Sequence, residues 1–271
     1  MISFFANLFG YLLNFLYNLV QNYGLAIILF SIVIKLLMLP LTIKQQKTMK
    51  KSLKLQEKMR TLQVKYQNNP EKLNQEMMQL YKTENMSPFS GCFSSIVQII
   101  LLFAVFYLVR SPLTYMKKVD SELISQYTTE IQEREEEKSA YTEIQIIREK
   151  GAEDPEVYIN MEFLGLDLSK VPGSNFEDFR VYIIPILYVI SSAVSIKLTN
   201  NMQGKKKETE NNDSENPMMQ TNKMMNWMMP IMSVSIAIIA PLGLALYWLV
   251  NNILMIIERL ILNKFMNQEE E

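Results

Sequence analysis

The chain has 271 residues, of which 49% are hydrophobic and 20% are charged, and its formal net charge is −1. It contains no histidine and one cysteine, Cys92, which excludes histidine-based catalysis, CxxC redox chemistry, histidine or multi-cysteine metal sites and an intrachain disulfide. The apolar residues form long runs and the charged residues fill the gaps between them. This pattern predicts an all-α polytopic membrane protein.

The first segment, residues 1–23, is rich in Phe, Leu and Tyr and places Asn7, Asn14 and Asn18 on one side of a helix. The pattern favours an N-terminal interfacial amphipathic helix over a sixth span. The segment lacks a positively charged start and an A-x-A-like cleavage site, so it does not read as a cleavable signal peptide.

Five later runs are apolar enough to cross a bilayer. The predicted spans are residues 24–42, 89–110, 181–198, 223–240 and 241–262. Between Lys44 and Asn85 there are ten basic and four acidic residues, whereas residues 111–180 carry eight basic and sixteen acidic residues. By the positive-inside rule the first of these segments is cytoplasmic and the second is outside. Five spans then place the N-terminus outside and the tail, residues 263–271, in the cytoplasm.

The first span carries a lysine, Lys35, near its middle. Lys35 lies about 15 Å along the helix from Leu25, and a lysine at the centre of a span costs about 2.5–3.5 kcal/mol on insertion scales. Ser31 and Thr42 share its helical face. Glu258 is assigned to the cytoplasmic end of the last span, and no other acidic residue lies within a predicted span. Lys35 is therefore expected to lack a built-in counter-ion and to attract an anion from outside the protein; the alternative is a lysine that snorkels to the interface or to a carbonyl.

Residues 43–88 predict a cytoplasmic antiparallel helical hairpin. Two apolar stripes at helical spacing consist of Leu55, Met59, Leu62 and Tyr66, and of Leu73, Met77 and Leu80. Asn69 is the predicted N-cap of the second helix, with Pro70 at its first position. The outer faces carry basic residues that orient the segment and are candidates for contact with acidic headgroups, a ribosome or a client. These residues are Lys50, Lys51, Lys54, Lys58, Arg60 and Lys65.

The acidic segment, residues 111–180, contains apolar residues at helical spacing, which indicate an amphipathic helix or a helical pair. They are Ile124, Tyr127, Ile131, Ile144 and Ile147. A solvated insertion is favoured over a partner surface. Residues 199–222 are polar and predict a flexible cytoplasmic loop. The methionine cluster at the start of the fourth span favours adaptable packing over a copper site.

Several spans also have a polar side. The residues concerned are Ser94, Ser95 and Gln98 in the second span, Ser191, Ser192 and Ser195 in the third, and Tyr247, Trp248, Asn251 and Asn252 in the fifth. Each alone indicates only hydrogen bonding between packed helices. Together with Lys35 they are consistent with a hydrated cavity.

Three stretches in combination resemble the YidC family of membrane-protein insertases, with its mitochondrial Oxa and chloroplast Albino relatives. They are IVIKLLMLPLTIKQQKTMKK, NPEKLNQEMMQLYKTENMSPFSGCFSSIVQIILLFAVFYLV and MMNWMMPIMSVSIAIIAPLGLALYWLVNNI. The resemblance implies five transmembrane helices around a hydrophilic groove that is open to cytoplasm and lipid and closed on the outside. It implies a non-enzymatic insertase of the bacterial plasma membrane, without cofactor or metal, that receives nascent membrane proteins and releases their hydrophobic segments into the bilayer.

The same resemblance assigns the residues of the groove. Lys35 matches a positive residue, usually arginine, in the first span of the family. Gln98 and Trp248 match a glutamine and a tryptophan, and Ser195 stands where relatives often carry glutamine. With Ser31, these residues form the predicted substrate groove. Lysine lacks the bidentate fork of arginine, and the acidic tail NKFMNQEEE differs from the basic tails that hold ribosomes in some relatives.

The expected partners are nascent membrane-protein clients and membrane lipids, with the Sec translocase and the ribosome as further candidates and no specific nucleic acid. The sequence has no GxxxxGK[ST] motif, so insertion would proceed without nucleotide hydrolysis by this chain. The alternative is a small transporter or channel in which Lys35 binds an anionic solute. No internal repeat of the kind common in transporters is visible.

Overall fold

The computed structural model describes residues 2–84, 90–134, 140–175, 177–202 and 238–268. These residues are mostly helical. The helices are α1 (Ile2–Val20), α2 (Tyr23–Lys65), α3 (Pro70–Thr83), α4 (Ser90–Arg110), α5 (Ser121–Arg134), α6 (Thr142–Lys150), α7 (Ile183–Met202) and α8 (Leu242–Gln268). A π-helical turn at Leu113–Lys117, a two-stranded hairpin of β1 (Glu162–Phe163) and β2 (Leu166–Asp167), and 3-10 turns at Pro172–Ser174 and Phe179–Tyr182 complete the described elements.

Four described helices are long and apolar enough to cross a membrane, which confirms the prediction of a helical polytopic membrane protein. They are Ile2–Val20, Tyr23–Thr48, Phe179–Leu198 and Leu242–Lys264. A shorter apolar stretch, Ile99–Arg110, forms the second half of α4. The predicted fourth span and its methionine cluster lie outside the described residues, except for residues 238–240.

Two helices continue past the predicted ends of their spans. Helix α2, which contains the predicted first span 24–42, continues through Pro40 to Lys65. Proline removes one backbone hydrogen bond, and helices in membranes tolerate it where neighbouring helices, Ser or Thr side chains or ordered water satisfy the freed backbone groups. Helix α8, which contains most of the predicted fifth span 241–262, runs to Gln268 and so includes part of the predicted tail 263–271. Residues 199–202 of the predicted flexible loop belong to α7.

The chain forms two compact units, Met1–Lys35 with Phe103–Glu271, and Leu36–Leu102. The second unit contains the predicted antiparallel helical hairpin. Tyr81 Oη lies 3.5 Å from Met59 Sδ, and Tyr66 Oη lies 3.4 Å from Glu76 Oε1. Asn69 caps α3 as predicted, because its side-chain oxygen accepts a hydrogen bond from the Lys72 amide at 3.1 Å.

The acidic segment is a folded part of the first unit. Its α5 and α6 pair, as predicted, through the ion pair of Arg134 with Glu149 at 3.3 Å and the hydrogen bond from Tyr127 to Asp154 at 2.8 Å. Beneath the charges lies an apolar core of Ile131, Ile144, Ile146, Ile147, Val157, Ile159, Met161 and Leu168. A solvated insertion stays the prediction for this segment, and the structure adds a buried apolar stripe that the charge-rich composition conceals.

Backbone carbonyls of the acidic segment cap two of the long helices. The Tyr23 amide at the start of α2 donates to the Asn160 carbonyl at 3.0 Å. The Leu242 and Gly243 amides at the start of α8 donate to the carbonyls of Lys170 and Leu168, both at 2.9 Å. The first amides of a helix have no partner within the helix, and an unpaired amide in hydrocarbon costs several kcal/mol. The acidic segment thus fixes the starting points of α2 and α8.

Helix α1 is attached to the acidic segment along most of its length. Gly10 lies against the Tyr115 carbonyl so closely that an added Cβ would be 1.8 Å from its oxygen. The Lys118 amine contacts the Asn7 side chain and lies 4.7 Å from the Tyr11 ring centroid. Near the other end, Tyr17 Oη accepts a hydrogen bond from the Asn160 amide at 2.9 Å. Both halves of α1 therefore contact the region that starts α2 and α8.

Within the first unit, α7, α8 and the Tyr23–Lys35 part of α2 run in the same direction. Tyr188, Ser191 and Ser195 on α7 meet successively later residues of α8. Along α2, Tyr23 lies beside Gly243 and Lys35 lies beside Glu258. The remaining faces of α7 and α8 expose apolar side chains, as lipid-facing surfaces do. They include Ile186, Leu187, Ile190 and Val194 on α7, and Ile253, Ile257, Leu260 and Ile261 on α8.

Candidate functional site

Lys35 has a counter-ion, contrary to the expectation from sequence. Its Nζ lies 2.6 Å from Oε2 of Glu258 on α8. The side chain of Glu258 is 6% exposed and that of Lys35 is 22% exposed, so the carboxylate is buried behind a partly accessible amine. The second carboxylate oxygen, Oε1, is also buried and accepts no hydrogen bond from the residues the structure describes. Among the described residues, Lys35 is therefore the main cation that balances the negative charge of Glu258.

The pairing follows from where the two helices begin. Lys35 lies about 18 Å along α2 from Tyr23, and Glu258 lies about 24 Å along α8 from Leu242. The acidic segment holds these two starting residues at one level, so the two charged groups reach a similar depth. The sequence pattern places Glu258 at the cytoplasmic end of a span, whereas α8 continues beyond it to Gln268.

A line of polar contacts joins α7 to α8. The rings of Tyr188 and Trp248 lie 6.2 Å apart, centroid to centroid. Asn252 Nδ2 donates to the hydroxyl oxygens of both Ser191 and Ser192 at 3.0 Å. These contacts recur at about one-turn intervals along both helices, and they hold the pair in register.

The next contact of this line brings in a residue that the sequence analysis missed. Arg259 Nη1 lies 3.4 Å from the hydroxyl oxygen of Ser195, which is 5% exposed. Consecutive helical residues point about 100° apart, so Glu258 faces α2 while Arg259 faces α7. The spacing of Asn252 and Arg259, seven residues apart on one helical face, was the available signal.

The other predicted groove residues are placed as follows. Ser31 is 3% exposed and its hydroxyl donates to the Ile27 carbonyl of its own helix at 2.8 Å. Its position one turn before Lys35 agrees with the predicted shared face. Trp248 is partly exposed on α8. Gln98 lies in α4, and its side chain is outside the described part of the structure.

The basic residues predicted on the hairpin divide into two groups. Lys51, Arg60 and Lys65 are exposed, as a surface that meets a partner requires. Lys58 is also exposed but forms an ion pair with Glu84, which joins α2 to the end of α3. The side chains of Lys50 and Lys54 lie outside the described residues.

Three carboxyl groups of the acidic segment have shifted pKa values. A hydrogen bond from Lys150 lowers the pKa of Glu130. Burial raises the pKa of Glu143 above its ordinary value, although hydrogen bonds from the Thr114 hydroxyl and amide oppose this effect. Hydrogen bonds from Arg180 and Lys170 lower the pKa of Asp178 to about 2. Within the described ranges, no three His, Cys, Asp or Glu side chains gather in a way that could hold a metal ion.

These features define a polytopic helical membrane protein with a buried ion pair between two parallel helices. The chain belongs to the family described as 60Kd inner membrane protein, whose pattern it matches over residues 15–270.

Among its relatives, "Membrane protein insertase YidC 2" of Bacillus anthracis is 32% identical over 257 residues, which cover 93% of this chain and 72% of that protein. "Membrane protein insertase YidC" of Treponema denticola is 29% identical over 258 residues, covering 95% of this chain and 37% of the relative. The protein of the same name in Chlorobaculum tepidum is 29% identical over 266 residues, covering 95% and 35%. The chain thus spans little more than a third of the length of the latter two proteins.

Proposed function

We propose that this protein is a membrane-protein insertase, which acts without covalent chemistry by receiving a client's polar tail within the bilayer and releasing the client's apolar segment into lipid. The observation that carries the proposal is a charged, partly accessible Lys35 within a long apolar helix, in a chain whose relatives are named insertases. Lysine at such a depth is expensive unless it has a partner or water.

The physical basis is a lowered barrier for the polar tail. A peptide tail that crosses hydrocarbon loses the hydration of its backbone and charged groups, at a cost of several kcal/mol for each group. A hydrated groove that reaches part of the way divides this barrier, and burial of the client's apolar helix supplies the driving force. Lys35, Ser31, Gln98, Ser195 and Trp248 are the proposed groove residues.

The proposed architecture has five spans, with the N-terminus outside and the C-terminus in the cytoplasm of the bacterial plasma membrane. The parallel course of α7 and α8 supports it, because the chain must return to the starting level of α7 before α8 begins. The contacts of α1 with the acidic segment support an interfacial helix. They tie α1 at Asn7 and at Tyr17 to one region, whereas a sixth span would carry one end to the opposite face.

The proposed partners are nascent clients and lipids, with the ribosome and the Sec translocase as candidates. The exposed Lys51, Arg60 and Lys65 support a hairpin surface that meets acidic headgroups or an arriving client. Because Lys58 pairs with Glu84, we assign it a role in hairpin stability rather than in first contact.

Photo-crosslinking tests the proposed function. A crosslinker is placed at Trp248, and in separate variants at Ser31 and Gln98, in cells that synthesise a stalled single-span membrane protein. The matched control is a crosslinker at Ile257, which lies on the exposed apolar face of the same helix as Trp248 and is 46% exposed. An insertase gives client adducts at the groove positions that exceed those at Ile257. Adducts with lipid or solute alone would refute the proposal and favour a transporter.

A further inference from the structure

We infer that Glu258 is a specificity-determining residue: it occupies Lys35 as an internal anion, and a client's acidic group must displace it. The inference rests on the proposed function, since it concerns which clients the groove accepts. The carrying observation is the 2.6 Å contact between Lys35 Nζ and Glu258 Oε2.

Lys35 is more exposed than Glu258, so a client's anion can approach the amine from one side only. Glu258 is 6% exposed and Lys35 is 22% exposed, so an arriving carboxylate reaches the amine from the open side while Glu258 stays behind it. The long, flexible lysine stem can turn its amine from one anion to another. When a client's carboxylate takes the amine, Glu258 stays buried without its cation, so displacement costs free energy and succeeds only for a client anion that binds Lys35 more strongly than Glu258 does.

Glu258 and the client's anion compete for Lys35. The groove therefore favours acidic tails over neutral tails only to the extent that the client's anion displaces Glu258 from Lys35. The apparent affinity of a ligand falls in proportion to the fraction of time its site is available. If Glu258 holds Lys35 for about four-fifths of the time, removing that competition raises the apparent affinity for an acidic tail about fivefold. A neutral tail gains nothing, because it makes no differential contact with the released amine.

Arg259, the cation next to Glu258 in the sequence, does not take the place of Lys35 as the contact of Glu258. Arg259 is adjacent to Glu258 in sequence but contacts Ser195 on α7 at 3.4 Å. Glu258 instead points to α2. Neutralising Glu258 therefore removes the anion that contacts Lys35, while the contact of Arg259 with Ser195 does not depend on the Glu258 carboxylate.

The test uses the full chain with two stalled clients that differ only in the translocated tail, two Asp residues in one and two Asn residues in the other. The readout is the ratio of acidic-tail to neutral-tail adducts from a crosslinker at Trp248. Glu258→Gln is expected to raise this ratio about fivefold, by release of Lys35. Glu258→Asp retains the charge but shortens the reach by one methylene, so it is expected to give an intermediate ratio.

An unchanged ratio in Glu258→Gln, in protein with normal thermal stability, would overturn the inference. If the Glu258→Gln protein does not accumulate, the Glu258→Asp protein is used instead. A ratio of acidic-tail to neutral-tail adducts at or below the wild-type value then overturns the inference. A purely structural ion pair predicts a parallel loss of both adducts together with a lower melting temperature. If the unmodified protein gives no client adducts above the Ile257 control, the proposed function itself fails, and this is distinct from an unchanged ratio among productive variants.

Discussion

Replacing Lys35 by methionine should destabilise the protein far more than replacing both members of the ion pair. At 2.6 Å and an effective dielectric constant of about 20, the attraction between Lys35 and Glu258 is about 6 kcal/mol before the cost of desolvating the two ions is subtracted. Desolvation cancels most of this gain, so the pair contributes little net stability. Lys35→Met, however, leaves a carboxylate that is 6% exposed without its cation, which costs about 3–5 kcal/mol.

The assay is a double-mutant cycle on thermal unfolding in detergent or nanodiscs at one fixed scan rate. A chain of this size loses about 2–4 °C in melting temperature for each kcal/mol, so Lys35→Met should lower it by about 6–20 °C. Lys35→Met combined with Glu258→Met should recover most of that loss, because no buried charge remains.

The control is Lys44→Met, which replaces an exposed lysine of the same helix and should leave the melting temperature within about 2 °C of wild type, as for ordinary surface changes. If Lys35→Met were equally mild, or if the effects of the two single changes simply added, the reasoning about a buried coupled pair would be wrong.

Three further perturbations probe the packing and electrostatics. Gly10→Ala should detach α1 from the Tyr115 carbonyl and cost about 1–3 kcal/mol of stability, measured as a lower melting temperature. The control, Asn18→Ala on the exposed face of α1, should leave the melting temperature unchanged. Equal effects of the two changes would contradict the close contact between Gly10 and Tyr115. Burial raises the pKa of Glu143 in the folded protein above its ordinary value of 4.5, so the stability that protonated Glu143 contributes is present below pH 4.5 and is lost as the pH rises through the folded-state pKa. Glu143→Gln should reduce the slope of the melting temperature against pH in this range. An unchanged slope would refute this. Asn252→Leu should cost about 0.6–1.7 kcal/mol, the range of interhelical hydrogen bonds in membranes, and no measurable change would show that the two serine contacts contribute little.

The hairpin and the described spans could be predicted because their signals are local. Apolar runs of sufficient length define α7 and α8, and the Asn69-Pro70 pair marks the start of α3 through side-chain capping. Such signals need only neighbouring residues. They therefore survive without knowledge of the tertiary structure.

What could not be predicted depends on distant parts of the chain. The pairing of Lys35 with Glu258 requires the relative level of α2 and α8, which is set by carbonyls of a third segment. The buried core of the acidic segment was concealed by its high charge, although Ile131, Ile144 and Ile147 had been identified at helical spacing.

The ion pair also has a consequence for the biosynthesis of this protein. Lys35 precedes Glu258 by 223 residues (258 − 35), so at about 5–20 residues per second the helix that carries Lys35 waits on the order of ten seconds or more for its partner. During that interval the newly made helix carries an uncompensated amine, at a cost of about 2.5–3.5 kcal/mol. The arrival of α8 then removes this cost. Synthesis of α8 is thus the event that provides the Lys35 amine with its carboxylate, and a chain that stalls before residue 258 keeps that amine without this partner.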